Sequence, residues 1–293
     1  MTLNERIQKD LVELYNDGKT PGEIQNALHL DGLIKAEPGM TSFATKALPG
    51  YYTGNRKAKT VMVMLNPGVG VYEANNNLMC DLLKHSMKNA ADIENYHKWC
   101  IKYGHIDKMR LDNFDLKQAF FLHKWEETGI TLPKNLSSNP KSDKPILLAA
   151  KEAVLTQKLQ LELIPYASSS LSCCDKNKIE LLFPFVETLF DEILAHERRY
   201  VIFCSRFFKT LFKKYRSIHH NSIIIKDSNP RQIGNSKISG SCSVISVNYN
   251  NKHINAIIAN TFPNQALPNS FELMEQYGEY CYEQYRNMIM TEI

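Results

Sequence analysis

Apolar residues of this chain gather in four short runs that do not alternate cleanly with polar residues. The runs consist of β-favouring residues and span Thr60–Leu65, Leu159–Ile164, Tyr200–Cys204 and Ile254–Ala259. A strand buried on both faces, as in a parallel sheet, has this pattern. Helical patterns separate the runs, and this alternation of strand and helix favours a parallel sheet covered by helices.

The predicted fold class is therefore α/β: a three-layer α/β/α sandwich around a central, mainly parallel four-stranded sheet. The stretch "GSCSVISVNYNNKHINAIIA" predicts an antiparallel pair that turns near Asn250-Asn251 and adds an edge strand. We expect one domain over residues 1–293, with an N-terminal helical extension over residues 1–58 and a helical insertion over residues 71–157.

Helical periodicity is clear at both ends of the chain. The N-terminal extension contains an amphipathic helix that ends at Gly18. A second helix begins in "TPGEIQNAL", where Thr20 is the predicted N-cap and Pro21 the first helical residue. The segment from Ser270 to Met290 is predicted to form a C-terminal helix.

Composition and cysteine usage narrow the functional classes. The longest apolar runs are far shorter than the roughly 20 residues of a membrane span, and the charged N-terminus does not have the pattern of a signal sequence. The seven cysteines are scattered and form no CxxC pair, so we expect reduced thiols. Adjacent His219 and His220 favour a surface turn over a metal site. We expect a cytoplasmic monomer with no cofactor, no metal and no membrane contact.

Positive charge is concentrated in one stretch rather than spread over the chain. The formal net charge is only +4, but Arg198 to Arg216 contains seven Lys or Arg, six aromatic residues and no acid. One interpretation is a solvated helix face over a core of aromatic and aliphatic side chains, namely Phe207, Phe208, Leu211, Phe212 and Tyr215. The other is a surface that follows the phosphates of a nucleic acid.

The segments that follow the four predicted strands contain the candidate chemistry. Ligands of open parallel sheets bind beyond the carboxyl ends of the strands. Here these ends are "LNPGVGVYE", "ELIPYASSS", "CSRFF" and "NTFPNQALPNS". Their neutral hydrogen-bonding residues suit a planar polar ligand. The sequence has no GxSxG, no GxxxxGK[ST] and no GxGxxG.

The segment "VMVMLNPGVG" resembles the first motif of the uracil-DNA glycosylase superfamily, particularly its mismatch-specific and single-strand-selective branches, whose strand ends in Asn-Pro-Gly. "LELIPYASSS" is similar to a Pro-Tyr-x-Ser stretch of bacterial relatives. Phe262-Pro263-Asn264 stands where the superfamily has a His-Pro-Ser or Asn-Pro-Ser loop that enters the minor groove. The resemblance covers about Thr60 to Leu267 without the helical insertion. It implies DNA, with a flipped base, as the partner.

The resemblance also implies cleavage of an N-glycosidic bond, which needs a pocket for the flipped base and a positioned water. Asn66 is predicted to position this water through its side-chain carbonyl. Glu73 is a candidate to activate the water as a carboxylate. Gly68 lets main chain approach the ligand closely, and Tyr72 is a candidate to stack on the base.

Two residues depart from the pattern of the superfamily. Glu162 stands where an Asn usually reads uracil, and an ionised Glu only accepts hydrogen bonds, so an amino-bearing base fits it better. The alternative for Glu162 is a buried carboxylate paired with an arginine such as Arg231. Phe262 replaces a His or Asn and so removes a donor for the departing base. The other candidates are Tyr166 for the base, and Ser168, Arg206, Arg231, Pro263, Asn264 and Gln265 for DNA.

The expected function is a DNA base glycosylase that acts on a modified or mismatched base, as in base-excision DNA repair. The replacement at Phe262 leaves open a non-catalytic nucleic-acid or nucleotide-binding protein of the same fold. The modest net charge leaves open a hydrolase or transferase for a free nucleoside or another small molecule.

Overall fold

The computed structural model describes residues 1–30, 33, 43, 49–66, 113–132, 143–168, 174–219, 223–233, 239–260 and 270–291. Its α-helices are α1 (Leu3–Tyr15), α2 (Pro21–Ala27), α3 (Asn113–Leu122), α4 (Lys144–Gln157), α5 (Phe183–Leu194), α6 (Phe207–His219) and α7 (Phe271–Thr291). A 3-10 helix, Lys176–Leu182, precedes α5. None of these helices is long and apolar enough to cross a membrane.

Nine strands complete the described secondary structure. They are β1 (Tyr52–Gly54), β2 (Thr60–Met64), β3 (Lys158–Glu162), β4 (Tyr200–Phe203), β5 (Ile223–Asp227), β6 (Arg231–Gln232), β7 (Ser239–Gly240), β8 (Cys242–Tyr249) and β9 (Lys252–Ala259). Seven of them form one sheet in the order β1-β3-β2-β4-β9-β8-β5, and β6 pairs with β7. The α/β fold class is confirmed: helices flank a mainly parallel sheet.

The four predicted strands are β2, β3, β4 and β9, which are neighbours in the sheet. Strand β4 pairs in parallel with β2 and with β9. Every residue of β2 and β4 is buried, as expected for strands covered on both faces. Along the chain, β2 is followed by β3 and then by β4, and these two strands lie on opposite sides of β2 in the sheet. The strand order therefore reverses at β2.

The predicted hairpin is confirmed, but its first strand is not at the edge. Strands β8 and β9 pair antiparallel and turn at Asn250 and Asn251, whose φ angles of 49° and 59° suit Asn. Strand β5 pairs with β8 and takes the edge position. The short strands β1 and β5 raise the predicted four strands and edge strand to seven strands. With three and five residues, β1 and β5 have little periodicity to detect.

Both N-terminal helices begin with a capping box. Thr2 and Glu5 exchange side-chain and backbone hydrogen bonds at the start of α1, and Thr20 and Glu23 do the same at the start of α2. Pro21 occupies the first turn of α2, so the predicted start of this helix is confirmed.

The chain divides into two compact units that interleave along the sequence. The first contains Met1–Thr53, Met64–Gly104 and Leu161–Ala195, and the second Gly54–Val63, His105–Gln160 and His196–Ile293. Every strand of the large sheet has residues in the second unit. The predicted insertion over residues 71–157 is divided between the units, and its residues 71–112 and 133–142 lie outside the described residues.

In the second unit, α3 and α7 pack closely because α7 has a glycine at the contact. A Cβ atom at Gly278 would lie 1.9 Å from the carbonyl oxygen of Phe121 in α3. The Trp125 indole donates a 3.0 Å hydrogen bond to the Gly278 carbonyl oxygen. The Trp125 ring also packs edge-on against Tyr200, with 5.1 Å between the ring centroids. The absence of a side chain at position 278 therefore sets the distance between these helices.

We expect Gly278→Ala to destabilise the protein by about 2 kcal/mol, because an added methyl group must push α7 away from α3. An alanine inside a helix would otherwise stabilise it by about 1 kcal/mol. Urea unfolding followed by circular dichroism measures the difference, with the exposed neighbour Glu279→Ala as the matched control. A Gly278→Ala protein as stable as the wild type would contradict the close packing.

Candidate active site at the end of strand β2

Asn66 lies just beyond β2, where the chain still pairs with the segment after β3. The backbone N–H of Leu163 donates to the Met64 carbonyl oxygen at 2.9 Å, and that of Ile164 donates to the Leu65 carbonyl oxygen at 3.0 Å. These bonds extend the contact between the two segments past the end of each strand. They bring Asn66 beside the segment that contains Tyr166 and Ser168.

The half-buried Asn66 amide is oriented by two acceptors. Its Nδ2 donates to the Tyr166 carbonyl oxygen at 3.2 Å and to Ser168 Oγ at 2.8 Å. An amide nitrogen has two N–H donors, and these two bonds use both. The carbonyl Oδ1 of the same amide points away from Nδ2 because the amide group is planar. The two bonds thereby fix the plane of the Asn66 amide beside the segment after β3.

A buried carboxylate in α1 supports this arrangement. Tyr166 is fully buried, and its hydroxyl donates a 2.9 Å hydrogen bond to Asp10 Oδ2. The Tyr51 hydroxyl donates to the same oxygen. Asp10 is 2% exposed. Tyr166 thus contributes its backbone carbonyl to Asn66 and its side chain to α1, which links the N-terminal helix to the candidate site.

Burial dominates the electrostatics of this network. It raises the pKa of Asp10, although hydrogen bonds from Tyr51 and Tyr166 and the charge of Arg6 act to lower it. Glu13 is a further carboxylate that raises the pKa of Asp10. Burial and the neighbouring Asp10 carboxyl also raise the pKa of Tyr166. Tyr166 therefore keeps its proton and remains the donor to Asp10.

Glu162 borders a small cavity on the side of the first unit formed by α1 and α5. The cavity has a volume of about 10 Å³, and Arg6 and Glu192 also line it. This is about the space of one water molecule, far too little for a nucleobase. The Arg6 guanidinium lies 4.2 Å from the ring centroid of Phe185. Glu162 and Arg6 therefore border the same cavity.

Arg231 pairs with a carboxylate of its own unit. Arg231 lies in the second unit, where its guanidinium forms a 2.7 Å ion pair with Glu283, and both side chains are about half exposed. An exposed position leaves Arg231 accessible to solvent. Base reading by Glu162 stays a prediction.

Apart from Arg231, the predicted site residues fall into three groups according to where the structure places them. Asn66, Tyr166 and Ser168 are brought together in the first unit, and Glu162 lies in the same unit. Arg206 is exposed at the start of α6 in the second unit. The predicted residues outside the described part of the chain are Gly68, Tyr72, Glu73, Phe262, Pro263, Asn264 and Gln265.

Sequence reasoning missed Asp10, Arg6 and Tyr51. A signal was present in α1, because Arg6 and Asp10 lie at helical spacing on the same face as Ile7, which is buried. Charged residues on the apolar face of a helix mark a buried polar network. Tyr51 gave no comparable signal, since its partner Asp10 is 41 residues away.

Within the described residues, no group of three His, Cys, Asp or Glu side chains is placed to hold a metal ion. The described cysteines, Cys174, Cys204, Cys242 and Cys281, are free thiols. His219 is the last residue of α6, and its ring stacks on Tyr215 with 4.4 Å between centroids.

Comparisons of this chain with protein-family models, with curated proteins and with solved structures gave no match. A function therefore has to be inferred from the strand-end geometry and from the chemistry of the residues that it brings together.

We expect Asp10→Asn to change how stability depends on pH. Because the pKa of Asp10 is raised in the folded protein, the protonated carboxyl contributes stability that is complete below its unfolded pKa of about 4. That contribution is lost as the pH rises through the raised pKa. The unfolding free energy of the wild type minus that of Asp10→Asn should therefore fall in urea titrations as the pH rises above about 4.

The exposed Asp17→Asn is the matched control for this measurement, because it changes charge in the same way outside the network. An equal fall for both variants would show that the pH dependence does not come from Asp10.

Proposed function

We propose that this protein is a DNA base glycosylase similar to the uracil-DNA glycosylase superfamily, and that it hydrolyses the N-glycosidic bond of a modified or mismatched base. The observation that carries the proposal is the Asn66 amide, held through Nδ2 by the Tyr166 carbonyl and Ser168 Oγ. This orientation fits the water-positioning role that the resemblance implies for the Asn of the Asn-Pro-Gly motif.

The strand order supports a ligand site at the same place. Ligands of open α/β sheets bind beyond the carboxyl ends of the strands where the strand order reverses. Here the reversal occurs at β2, and Asn66 is the second residue after that strand. This location follows from topology alone and does not depend on the sequence motif.

The proposed reaction uses water as the nucleophile. Asn66 Oδ1 accepts a hydrogen bond from a water molecule and directs its oxygen toward C1′ of the sugar. The bond from this oxygen to C1′ forms, the bond from C1′ to the base nitrogen breaks, and its electron pair leaves with the base. The proton that the water gives up goes to a general base, and the carboxylate of Glu73 is the candidate for this role. A neutral amide positions water without adding a negative charge near DNA phosphates.

The choice of base is a separate part of the proposal. If Glu162 reads the base as a carboxylate, amino-bearing bases such as cytosine derivatives or adenine are preferred to uracil. Its place beside the Arg6 cavity favours a structural role instead. A panel of oligonucleotides separates these two roles, because only base reading predicts a preference that Glu162→Gln changes.

We expect the purified protein to produce abasic sites in at least one oligonucleotide of a panel with uracil, hypoxanthine, alkylated bases and modified cytosines. Asn66→Ala should lower this activity about 100-fold or more, in line with the loss of one key polar group at a reacting centre. Alkaline cleavage of the products measures the activity. The exposed Asn248→Ala is the control and should keep it. Binding without any product across the panel would instead support a non-catalytic protein.

We expect Ser168→Ala to lower the activity about tenfold, because Asn66 loses its shorter hydrogen bond, a loss of about 1.4 kcal/mol. Ser168→Thr keeps a hydroxyl and should recover most of the rate. Single-turnover cleavage of the preferred oligonucleotide provides the measurement, and urea unfolding checks that the variants remain folded. Equal rates for Ser168→Ala and the wild type would show that this bond does not position Asn66 for catalysis.

A further inference from the structure

Helix α6 separates its apolar and basic residues onto two faces. The buried side chains of α6 are Phe208, Leu211, Phe212 and Tyr215. Phe207 is half-buried. The core interpretation of this stretch is therefore confirmed for four of its five residues, and it leaves the cations on the outer side of the helix.

The outer face of α6 contains a row of cations at helical spacing. Lys209, Lys213 and Arg216 are four and three residues apart, so they follow one side of the helix over about 10 Å. Arg206, just before the helix, is exposed, as are Lys213 and Arg216. The sequence has no acidic residue between Arg198 and Lys226.

Strand β5 lies beside this row, at the edge of the described sheet, where it pairs with β8. Side chains alternate along a strand, and Asp227 pairs with Lys209, so Ile223, Ile225 and Asp227 face α6. Lys226 is exposed on the opposite face of β5 and is not part of the row. We call the surface formed by Arg206, Lys209, Lys213 and Arg216 the basic face.

One carboxylate lies beside the basic face and neutralises only part of it. Asp227 accepts hydrogen bonds from Lys209 at 2.5 Å and from Ser243 at 2.6 Å, and these bonds hold its pKa below the ordinary value. Within the described part of the chain, neither Arg206 nor Lys213 forms an ion pair with a carboxylate. The basic face therefore has a net positive charge that faces solvent.

We infer that the basic face binds the phosphate backbone of a nucleic acid without reading its sequence. A row of cations about 10 Å long complements the regular negative charge of a nucleic acid strand, and such contacts position a protein without base recognition. The inference rests on the proposed function only in the choice of DNA as the polyanion. A membrane-binding helix would insert its apolar face, whereas the apolar face of α6 is already buried in the protein.

The test is the salt dependence of binding to an unmodified duplex of about 30 base pairs, followed by fluorescence anisotropy. The logarithm of affinity falls with the logarithm of salt concentration by about 0.9 per phosphate contact. The double variant Arg206→Gln with Lys213→Gln should therefore reduce the slope by about 1.8 and weaken binding about tenfold or more at low salt. Lys57→Gln with Lys178→Gln is the control, with the same charge change at exposed sites. It should keep the wild-type slope.

Three results would overturn the inference. An unchanged slope in the Arg206 and Lys213 variant would leave the basic face as a solvated helix surface. An equal loss in the control variant would show a general effect of net charge. Loss of binding to anionic phosphatidylserine vesicles, with unchanged duplex binding, would assign the face to lipid.

The experiment keeps this inference separate from the proposed glycosylase activity. Asn66→Ala should bind the unmodified duplex with the wild-type salt slope, because Asn66 is not part of the basic face. A changed slope in the Arg206 and Lys213 variant, together with no abasic product on any oligonucleotide, would support the basic face and reject the glycosylase. Cleavage that depends on Asn66, with an unchanged slope, would do the reverse.

Discussion

The buried carboxylate of Asp10 is the interaction on which the arrangement of the first unit depends. A carboxylate out of contact with water is costly unless donors surround it, and here two tyrosine hydroxyls donate to a single oxygen. Tyr51 precedes β1 and Tyr166 follows β3, so one carboxylate fixes α1 against both segments. The backbone bond from Gly50 to the Pro165 carbonyl, at 2.7 Å, joins the same two segments. Few side-chain placements satisfy all of these donors at once.

In this network the position of Asn66 is set by Tyr166 and Asp10, which have no direct role in the proposed reaction. Tyr166 has its hydroxyl on Asp10 and its carbonyl oxygen on Asn66. These hydrogen bonds hold the amide in one orientation. In the proposed glycosylase such preorganisation would contribute to catalysis, since no free energy is then needed to orient the group during the reaction. A structural residue in the N-terminal helix thus becomes relevant to a site at the end of a strand.

The parts of the structure that could be predicted depend on local patterns. The lack of alternation predicted the buried strands β2 and β4, and the turn residues predicted the Asn250-Asn251 hairpin. The link between Asp10 and Tyr166 spans 156 residues, and no local pattern reports it. Glu162 shows a similar limit. Its position in the chain predicts a base-reading group, but which face of a strand a residue occupies depends on register as well as sequence, and only the structure shows that Glu162 borders the cavity beside α1 and α5.

The position of Asn66 follows from the burial of β2. A central strand with helices on both faces has no place for an exposed polar side chain. A polar side chain that reaches beyond the sheet therefore comes only after the strand pairing ends. The bond from Ile164 to the Leu65 carbonyl is the last backbone hydrogen bond described between the two segments, and Asn66 is the next residue. It is therefore the first position at which the backbone is still fixed and the side chain can reach beyond the sheet. An amide there is held through its nitrogen at a place that the fold already determines.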